Sequence, residues 1–252
     1  MFNPMSLEGK RILVTGASSG IGRAVAILAS RLGAHLFITG RNQAALEETL
    51  SLMEGEGHHI FPYDLNKIRG IGELVMTIAN TAGKMDGFVH AAGVEKTLPL
   101  RLLSSEDYEE VMKINAFSAF EFIHHFSNRK YFNDGGSMVL VSSITAVIGR
   151  GGVSAYSASK GAMISAIRSM ALELAKKRIT VNCISPGTVM TPLMENYLST
   201  LSAEDYKKRI DGFPLGLGQV EDISNACIYL LSGASRWVTG QNLIVDGGYT
   251  VR

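Results

Sequence analysis

Residues 11 to 22 read R-I-L-V-T-G-A-S-S-G-I-G. A short run of mostly apolar residues leads directly into a loop that turns on Gly16, Gly20 and Gly22, and a helix-length stretch over 20 to 32 follows. A strand that is apolar along its length, rather than at alternate positions, is buried on both faces. That is the habit of a parallel sheet covered by helices on each side. The glycines allow positive φ, close approach of a pyrophosphate to the backbone and tight packing of helix on strand. In a strand-loop-helix setting the loop reads as a dinucleotide cradle.

The same alternation continues along the chain. Apolar runs at 35 to 39, 58 to 63, 87 to 90, 137 to 141, 179 to 184 and 242 to 245 are separated by helix-length stretches near 42 to 55, 67 to 83, 104 to 130, 156 to 177 and 220 to 231. Seven strands with intervening helices imply an α/β fold of Rossmann type, a doubly wound parallel sheet with helices on both faces. A chain of 252 residues fits one such domain over 1–252. Sheets of this kind take ligands beyond the carboxyl ends of their strands, and the polar motifs described next fall there.

Composition narrows the function. Lysine and arginine number 24 against 23 acids, so no strong field gathers nucleic acid or an acidic membrane surface. The first ten residues lack the basic start and apolar core of a secretory signal, and no apolar run is long enough to span a bilayer. A cytoplasmic location is expected. Cys183 and Cys227 stand far apart without a CxxC pattern or histidine pairing, so they read as buried free thiols, with no metal site. His58, His59, His124 and His125 likewise show no metal spacing.

At 154 to 160 the chain reads S-A-Y-S-A-S-K, which puts Tyr156 and Lys160 one helical turn apart among small residues. A free phenol has a pKa of about 10, and bringing it near neutrality takes roughly 4 kcal/mol of charge interaction. A neighbouring ammonium and an oxidised nicotinamide would supply it. The expectation is a Tyr156 depressed by Lys160 that exchanges a proton with a carbonyl or alcohol oxygen. Ser143, at the end of the fifth strand in M-V-L-V-S-S-I-T, is placed to polarise that oxygen, with Ser142 as its competitor.

The end of the second strand, F-I-T-G-R-N at 37 to 42, carries no acid to accept from ribose hydroxyls, and Arg41 follows it. A guanidinium there pairs with a 2′-phosphate, so the expected cofactor is NADP(H), with Ser18 or Ser19 adding a hydroxyl.

The G-x3-G-x-G spacing of the loop, with D-L at 64 to 65, A-A-G at 91 to 93, Asn115, Ser143, Tyr156, Lys160, P-G at 186 to 187 and Thr191, resembles the short-chain dehydrogenase/reductases over residues 7 to 249. The likeness is greatest to the 3-oxoacyl-(acyl-carrier-protein) reductases. The resemblance implies a catalytic set of Asn115, Ser143, Tyr156 and Lys160, and demotes Ser142. It implies that Asn115 holds a water linking Lys160 to solvent and that Asp64 accepts from the adenine amino group beside the Leu65 backbone. It also implies cofactor contacts from Gly16, Ser18, Ser19, Gly20, Ile21, Gly22, Arg41, Ala91, Ala92, Gly93, Tyr156, Lys160, Pro186, Gly187, Val189 and Thr191.

Two departures stand out. His90 replaces the family's usual asparagine in V-H-A-A-G, and is expected to donate from a ring nitrogen to nearby backbone. Leu172 precedes Glu173 where carrier-protein reductases commonly show an arginine, although Arg129, Lys130 and Arg168 offer another basic patch. A segment at about 188–213 corresponds to the family's substrate lid. Its apolar residues, Met190, Leu193, Met194, Tyr197, Leu198, Leu201, Tyr206, Ile210 and Phe213, either face an apolar or extended substrate or bury against each other. The expected partner is a small carbonyl compound or an acyl thioester, with sugars, polyols and other secondary alcohols as alternatives. A regulator that senses NADP(H) without turnover is the reading from another class. The stretches 104 to 130 and 156 to 177 resemble the family's dimer-forming helices and imply a homotetramer, or a homodimer.

Overall fold

The protein is described here as a computed structural model covering residues 3–251, with the side chains of Leu193 and Arg209 outside the described set. In chain order the elements are β1 (Arg11–Thr15), α1 (Gly20–Arg31), β2 (His35–Gly40), α2 (Gln43–Ser51), β3 (His59–Pro62), α3 (Ile71–Ala82), β4 (Met85–His90), α4 (Ser105–Met112), α5 (Ser118–Phe126), β5 (Phe132–Val141), α6 (Ser154–Leu174), β6 (Thr180–Pro186), α7 (Pro192–Leu198), α8 (Ala203–Asp211), α9 (Val220–Leu231) and β7 (Asn242–Val245). The strands form one sheet in the order β3-β2-β1-β4-β5-β6-β7, and every pairing is parallel. The doubly wound seven-stranded sheet expected from the alternation is the one observed.

Successive strand residues feed two cores. Leu13, Phe88, Leu140 and Cys183 pack beneath α3, α5 and α6, where Phe88, Phe122, Phe126 and Phe132 form a chain of ring contacts. Ile12, Val14, Val89 and Val139 face α1 and α9 on the other side. Fully burying a side chain of this size contributes about 1.5–3 kcal/mol, so the two cores fix the strand register that aligns the carboxyl ends.

The single helix expected over 104 to 130 is three pieces. Ser104 and Asp107 form a reciprocal cap at the start of α4. A π-helical turn, Lys113–Phe117, then separates α4 from α5. Asn115 sits in that turn, and its amide is engaged by partners outside the helix, which favours the wider turn. The helix ends at Phe126, where the Ser127 hydroxyl donates to the His124 carbonyl and the chain turns. The strand read at 137 to 141 starts earlier, at Phe132, and pairs with β4 through an irregularity between Met85 and Gly87. Gly135 at φ 82 and Gly136, whose added Cβ would lie 2.7 Å from the Asp86 carbonyl, let it bend.

Candidate active site

The carboxyl ends of β1, β4, β5 and β6 open onto a cavity of about 580 Å³. Its glycine loop is shaped by contact as much as by turn. Gly16 has φ 69, and a Cβ on it would lie 2.6 Å from the Ala92 nitrogen; one on Gly22 would lie 2.4 Å from the Gly16 carbonyl oxygen. Larger residues would close the approach. Arg23 braces the loop, donating to the Ser18 carbonyl at 2.7 Å while it pairs with Glu48 at 2.8 Å. Ser19 is the N-cap of α1, but its side chain makes no cap hydrogen bond and no acid occupies the first turn. The first amides of α1 are therefore left to an anion from outside the chain. A cradle made of such amides, shaped to exclude side chains, fits a pyrophosphate.

Every residue expected to touch the cofactor lines this cavity: Gly16, Ser18, Ser19, Gly20, Ile21, Gly22, Arg41, Asp64, Leu65, Ala91, Ala92, Gly93, Tyr156, Lys160, Pro186, Gly187, Val189 and Thr191. Arg41 is exposed at the end of β2 and has no hydrogen-bond or ion-pair partner among the described residues. One oxygen of Asp64 accepts from the Asn66 amide and side chain, both at 3.1 Å.

Ser143, Tyr156 and Lys160 meet on one wall. Ser142 also lines the cavity, but its hydroxyl donates to the Lys160 carbonyl at 3.0 Å and ties β5 to α6. Ser143 Oγ accepts from the Thr145 backbone N–H at 3.2 Å and the Thr145 hydroxyl at 3.0 Å. With its lone pairs engaged, the Ser143 hydroxyl is left to donate. Lys160 is buried, and its Nζ donates to the Val141 carbonyl at 2.7 Å and stands 5.6 Å from the Tyr156 ring centre.

Asn115 does not line the cavity. Its Nδ2 donates to the Val94 carbonyl and the Ser159 hydroxyl, both at 2.9 Å, and its Oδ1 accepts from the Val94 N–H at 2.8 Å. It thereby joins the loop after β4 to α6. An added Cβ at Gly93 would lie 3.3 Å from Lys160 Nζ and 3.4 Å from Asn115 Oδ1, so a larger residue there would crowd both polar groups.

The acidities depart from the sequence expectation. Tyr156 is pushed up to about 12, chiefly by burial and then by the Glu95 charge, against a Ser143 hydrogen bond and Arg150. Part of its side chain still faces the cleft, yet desolvation dominates in the chain without cofactor, and the cation that lowers the phenol is Arg150 rather than the expected Lys160. Burial lowers Lys160 to about 8, with Cys183 acting the other way. The phenol is thus held as a neutral acid, the form that reduction needs.

His90 is fully buried, and its partner is a side chain rather than the expected backbone: Nδ1 lies 3.0 Å from the Thr15 hydroxyl. Nε2 has no hydrogen-bond partner among the described residues, although the backbone of Ile114 and Asn115 lies near enough to favour the charged ring somewhat. Desolvation, with Lys160 second, lowers His90 to about 3. The other histidines serve locally; His58 Nδ1 accepts from the Leu36 N–H at 3.0 Å and His125 sits 3.1 Å from Glu121. Among the described residues no group of three histidines, cysteines or acids could hold a metal. Both cysteines are free and buried, and desolvation raises each to about 12.

The sequence reading missed Thr145, Glu95, Arg150 and Lys208, all of which line the cavity. Arg150 did leave a signal, as the one charge in the G-R-G-G run between Ser143 and Tyr156. Of the apolar residues on 190 to 213, Met194 and Phe213 line the cavity, whereas Leu198 is buried and Tyr197 and Tyr206 are about two-fifths exposed, at 40% and 41%. Leu193 falls among the side chains outside the described set.

A dinucleotide cradle continuous with a serine, tyrosine and lysine at the carboxyl edge of a doubly wound sheet defines a dinucleotide-dependent oxidoreductase. Residues 16–250 match the family model described as enoyl-(acyl carrier protein) reductase. The 2,3-dihydro-2,3-dihydroxybenzoate dehydrogenase of Bacillus subtilis is 33% identical over 258 residues, covering 99% of each chain. The 3-oxoacyl-[acyl-carrier-protein] reductase of Thermotoga maritima is 33% identical over 250 residues, 98% of this chain and 100% of that one. A crystal structure from Agrobacterium tumefaciens, described as a candidate 2-deoxy-D-gluconate 3-dehydrogenase with bound NADP, superposes with a TM-score of 0.90 at 30% identity over 100% of both chains. The chain belongs to the short-chain dehydrogenase/reductase family, whose members act on CH–OH and C=O groups.

Proposed function

We propose that this enzyme transfers hydride between NADP(H) and a ketone or secondary alcohol. The observation that carries the reading is the convergence of Ser143, Tyr156 and Lys160 on the same cavity that the glycine cradle and Arg41 complete. The cofactor, when bound, supplies or accepts the hydride and in its oxidised form brings a positive charge. In reduction, Tyr156 donates its phenolic proton to the carbonyl oxygen as that oxygen gains charge. Ser143 donates a hydrogen bond to the same oxygen, held in that role by Thr145. Lys160, anchored on the Val141 carbonyl, keeps an ammonium behind the phenol. Asn115 fixes the Val94 loop and the Ser159 turn around them and acts as a positioning residue. Arg41 receives the 2′-phosphate, and the α7–α8 segment at about 188–213 acts as a lid.

A 3-oxoacyl thioester is the substrate class of one of the relatives above. Leu172 is 79% exposed where a docking arginine is wanted, and Arg129 is already paired with Asp134 at 3.0 Å. Glu95 and Arg150 line the cavity and act on Tyr156, and such charged groups favour a small polar carbonyl compound, so sugar-derived and hydroxy-acid substrates come first. Exposed Leu172, Trp237, Leu243 and Ile244 suit a homotetramer. Among the described residues no helix is long and apolar enough to cross a membrane.

The test is NADPH and NADH oxidation by purified protein with a 3-oxoacyl thioester, simple ketones and keto-sugars, alongside Tyr156→Phe. Turnover with NADPH that the variant loses supports the reading. NADPH binding without turnover of any carbonyl would leave a cofactor-sensing protein instead.

A further inference from the structure

The cavity wall next to Tyr156 carries an ion pair that the hydride-transfer chemistry does not use. Arg150 Nη2 lies 3.5 Å from Glu95 Oε1, and the two side chains are 27% and 25% exposed. Both line the cavity, and both act electrostatically on Tyr156, with opposite signs. They come from separate loops, Glu95 after β4 and Arg150 between β5 and α6. A backbone hydrogen bond from Leu98 N–H to the Gly152 carbonyl at 2.8 Å joins those loops, and Gly152 has the positive φ of 82 that its turn requires. The placement of the pair is therefore built into the backbone.

The two members are unequally satisfied. Glu95 also accepts from the Thr97 hydroxyl at 3.2 Å. Arg150 has Glu95 as its one partner among the described residues, at a separation too long for a good hydrogen bond, so most of its five N–H donors have no acceptor among them. A guanidinium only 27% exposed, with unused donors, lining the same cavity as Ile144, Ile148 and Tyr156, offers a fork to a planar anion.

We propose that Arg150 anchors a carboxylate on the substrate, so that the enzyme acts on oxo acids and their hydroxy-acid counterparts, with Glu95 setting how freely Arg150 is offered. The assignment rests on the hydride-transfer reading for the identity of the reacting group, but the anion site stands on its own geometry. A carboxylate suits the site in shape, because its two coplanar oxygens match two parallel N–H donors of the Arg150 guanidinium.

The two partners give opposite signs. Arg150→Met keeps bulk and removes the fork. Glu95→Gln removes the competitor and the repulsion. The experiment measures binding and kcat/KM for a series of oxo acids, from pyruvate through levulinate to 5-oxohexanoate, each beside its methyl ester. Calorimetry with NADP⁺ present and NADPH oxidation supply the two readouts, and intrinsic fluorescence checks that each variant is folded. The expected result is a wild-type preference for at least one acid over its ester, reduced roughly tenfold or more in Arg150→Met and increased in Glu95→Gln. Equal handling of acid and ester throughout the series overturns the proposal, as does an acid preference that survives in Arg150→Met or falls in both variants alike, which would mark the pair as structural. Acid-selective binding without turnover would keep the anion site and refute hydride transfer, whereas turnover of neutral ketones without acid preference would do the reverse.

Discussion

Thr145 stands behind Ser143 and gives it two hydrogen bonds, from its backbone N–H at 3.2 Å and its hydroxyl at 3.0 Å. The backbone bond does not depend on the side chain, so Thr145→Val isolates the hydroxyl at nearly constant shape. A neutral hydrogen bond is worth about 1 kcal/mol, which predicts a loss of about fivefold in kcat with KM little changed and recovery in Thr145→Ser. Ser143→Ala removes the donor to the reacting oxygen and should cost about a hundredfold or more. Steady-state kinetics on the three variants checks the order, and a Thr145→Val enzyme as slow as Ser143→Ala would show that the backbone bond does not hold Ser143 in place.

The acidities of Tyr156 and Lys160 set the pH dependence of ketone reduction. Tyr156, raised to about 12, keeps its proton throughout the working range, so it contributes no fall in rate at neutral or mildly alkaline pH. Lys160 is charged below about 8 and loses its proton above. If the ammonium supports proton donation, log kcat/KM for reduction declines as pH rises through about 8, and Lys160→Arg removes that descending limb because arginine stays charged. A limb at the same pH in Lys160→Arg would assign it to another group.

These two cases also mark where sequence reasoning succeeds and stops. The strands were legible because strands buried on both faces, such as Arg11–Thr15 with only its first residue exposed, are written as unbroken apolar runs. The glycine loop was legible because its function requires absent side chains at set spacing, and Tyr156 and Lys160 because one helical turn is a local relation. The π turn at Asn115 was not, since its cause is Val94, a residue on another segment. Glu95 and Arg150 meet only through the Leu98 and Gly152 contact. The burial that raises Tyr156 in the chain without cofactor was not legible for a related reason: a nearby lysine can be read from spacing, whereas burial is a property of the whole fold.

In the proposed function, cofactor choice turns on two adjacent residues, Gly40 and Arg41. Arg41 is exposed, so its contacts to a 2′-phosphate fall at the weak end of charge-assisted bonds, and Arg41→Ser should raise KM for NADPH roughly tenfold while changing KM for NADH much less. Gly40 offers the stronger reversal. A Cβ there would meet Ser18 Oγ at 3.4 Å and Leu46 Cδ2 at 3.5 Å, distances that need little or no adjustment. Gly40→Asp therefore places a carboxylate where it repels the phosphate and accepts from ribose hydroxyls, and the double variant should prefer NADH. Unchanged NADPH affinity in Arg41→Ser would move the phosphate site elsewhere on the loop.

His90 predicts an acid-labile step in stability. It is fully buried beside Thr15 and lowered from 6.5 to about 3. Between those values the unfolded chain binds a proton at this residue and the native state does not. Stability from His90 is therefore complete above pH 6.5 and is lost as pH falls toward 3. At pH 5 the loss is about 2 kcal/mol relative to pH 7.5, a large fraction of an ordinary domain's margin. His90→Asn keeps a polar side chain near the Thr15 hydroxyl but cannot titrate. Urea unfolding at pH 7.5 and pH 5 should show the parent losing about 2 kcal/mol more than the variant, whatever the variant costs at neutral pH. Equal losses in the two proteins would mean that the native state accommodates a charged His90, which would require the neighbouring Ile114 and Asn115 carbonyls to turn toward Nε2 and the π turn beside Lys160 to shift with them.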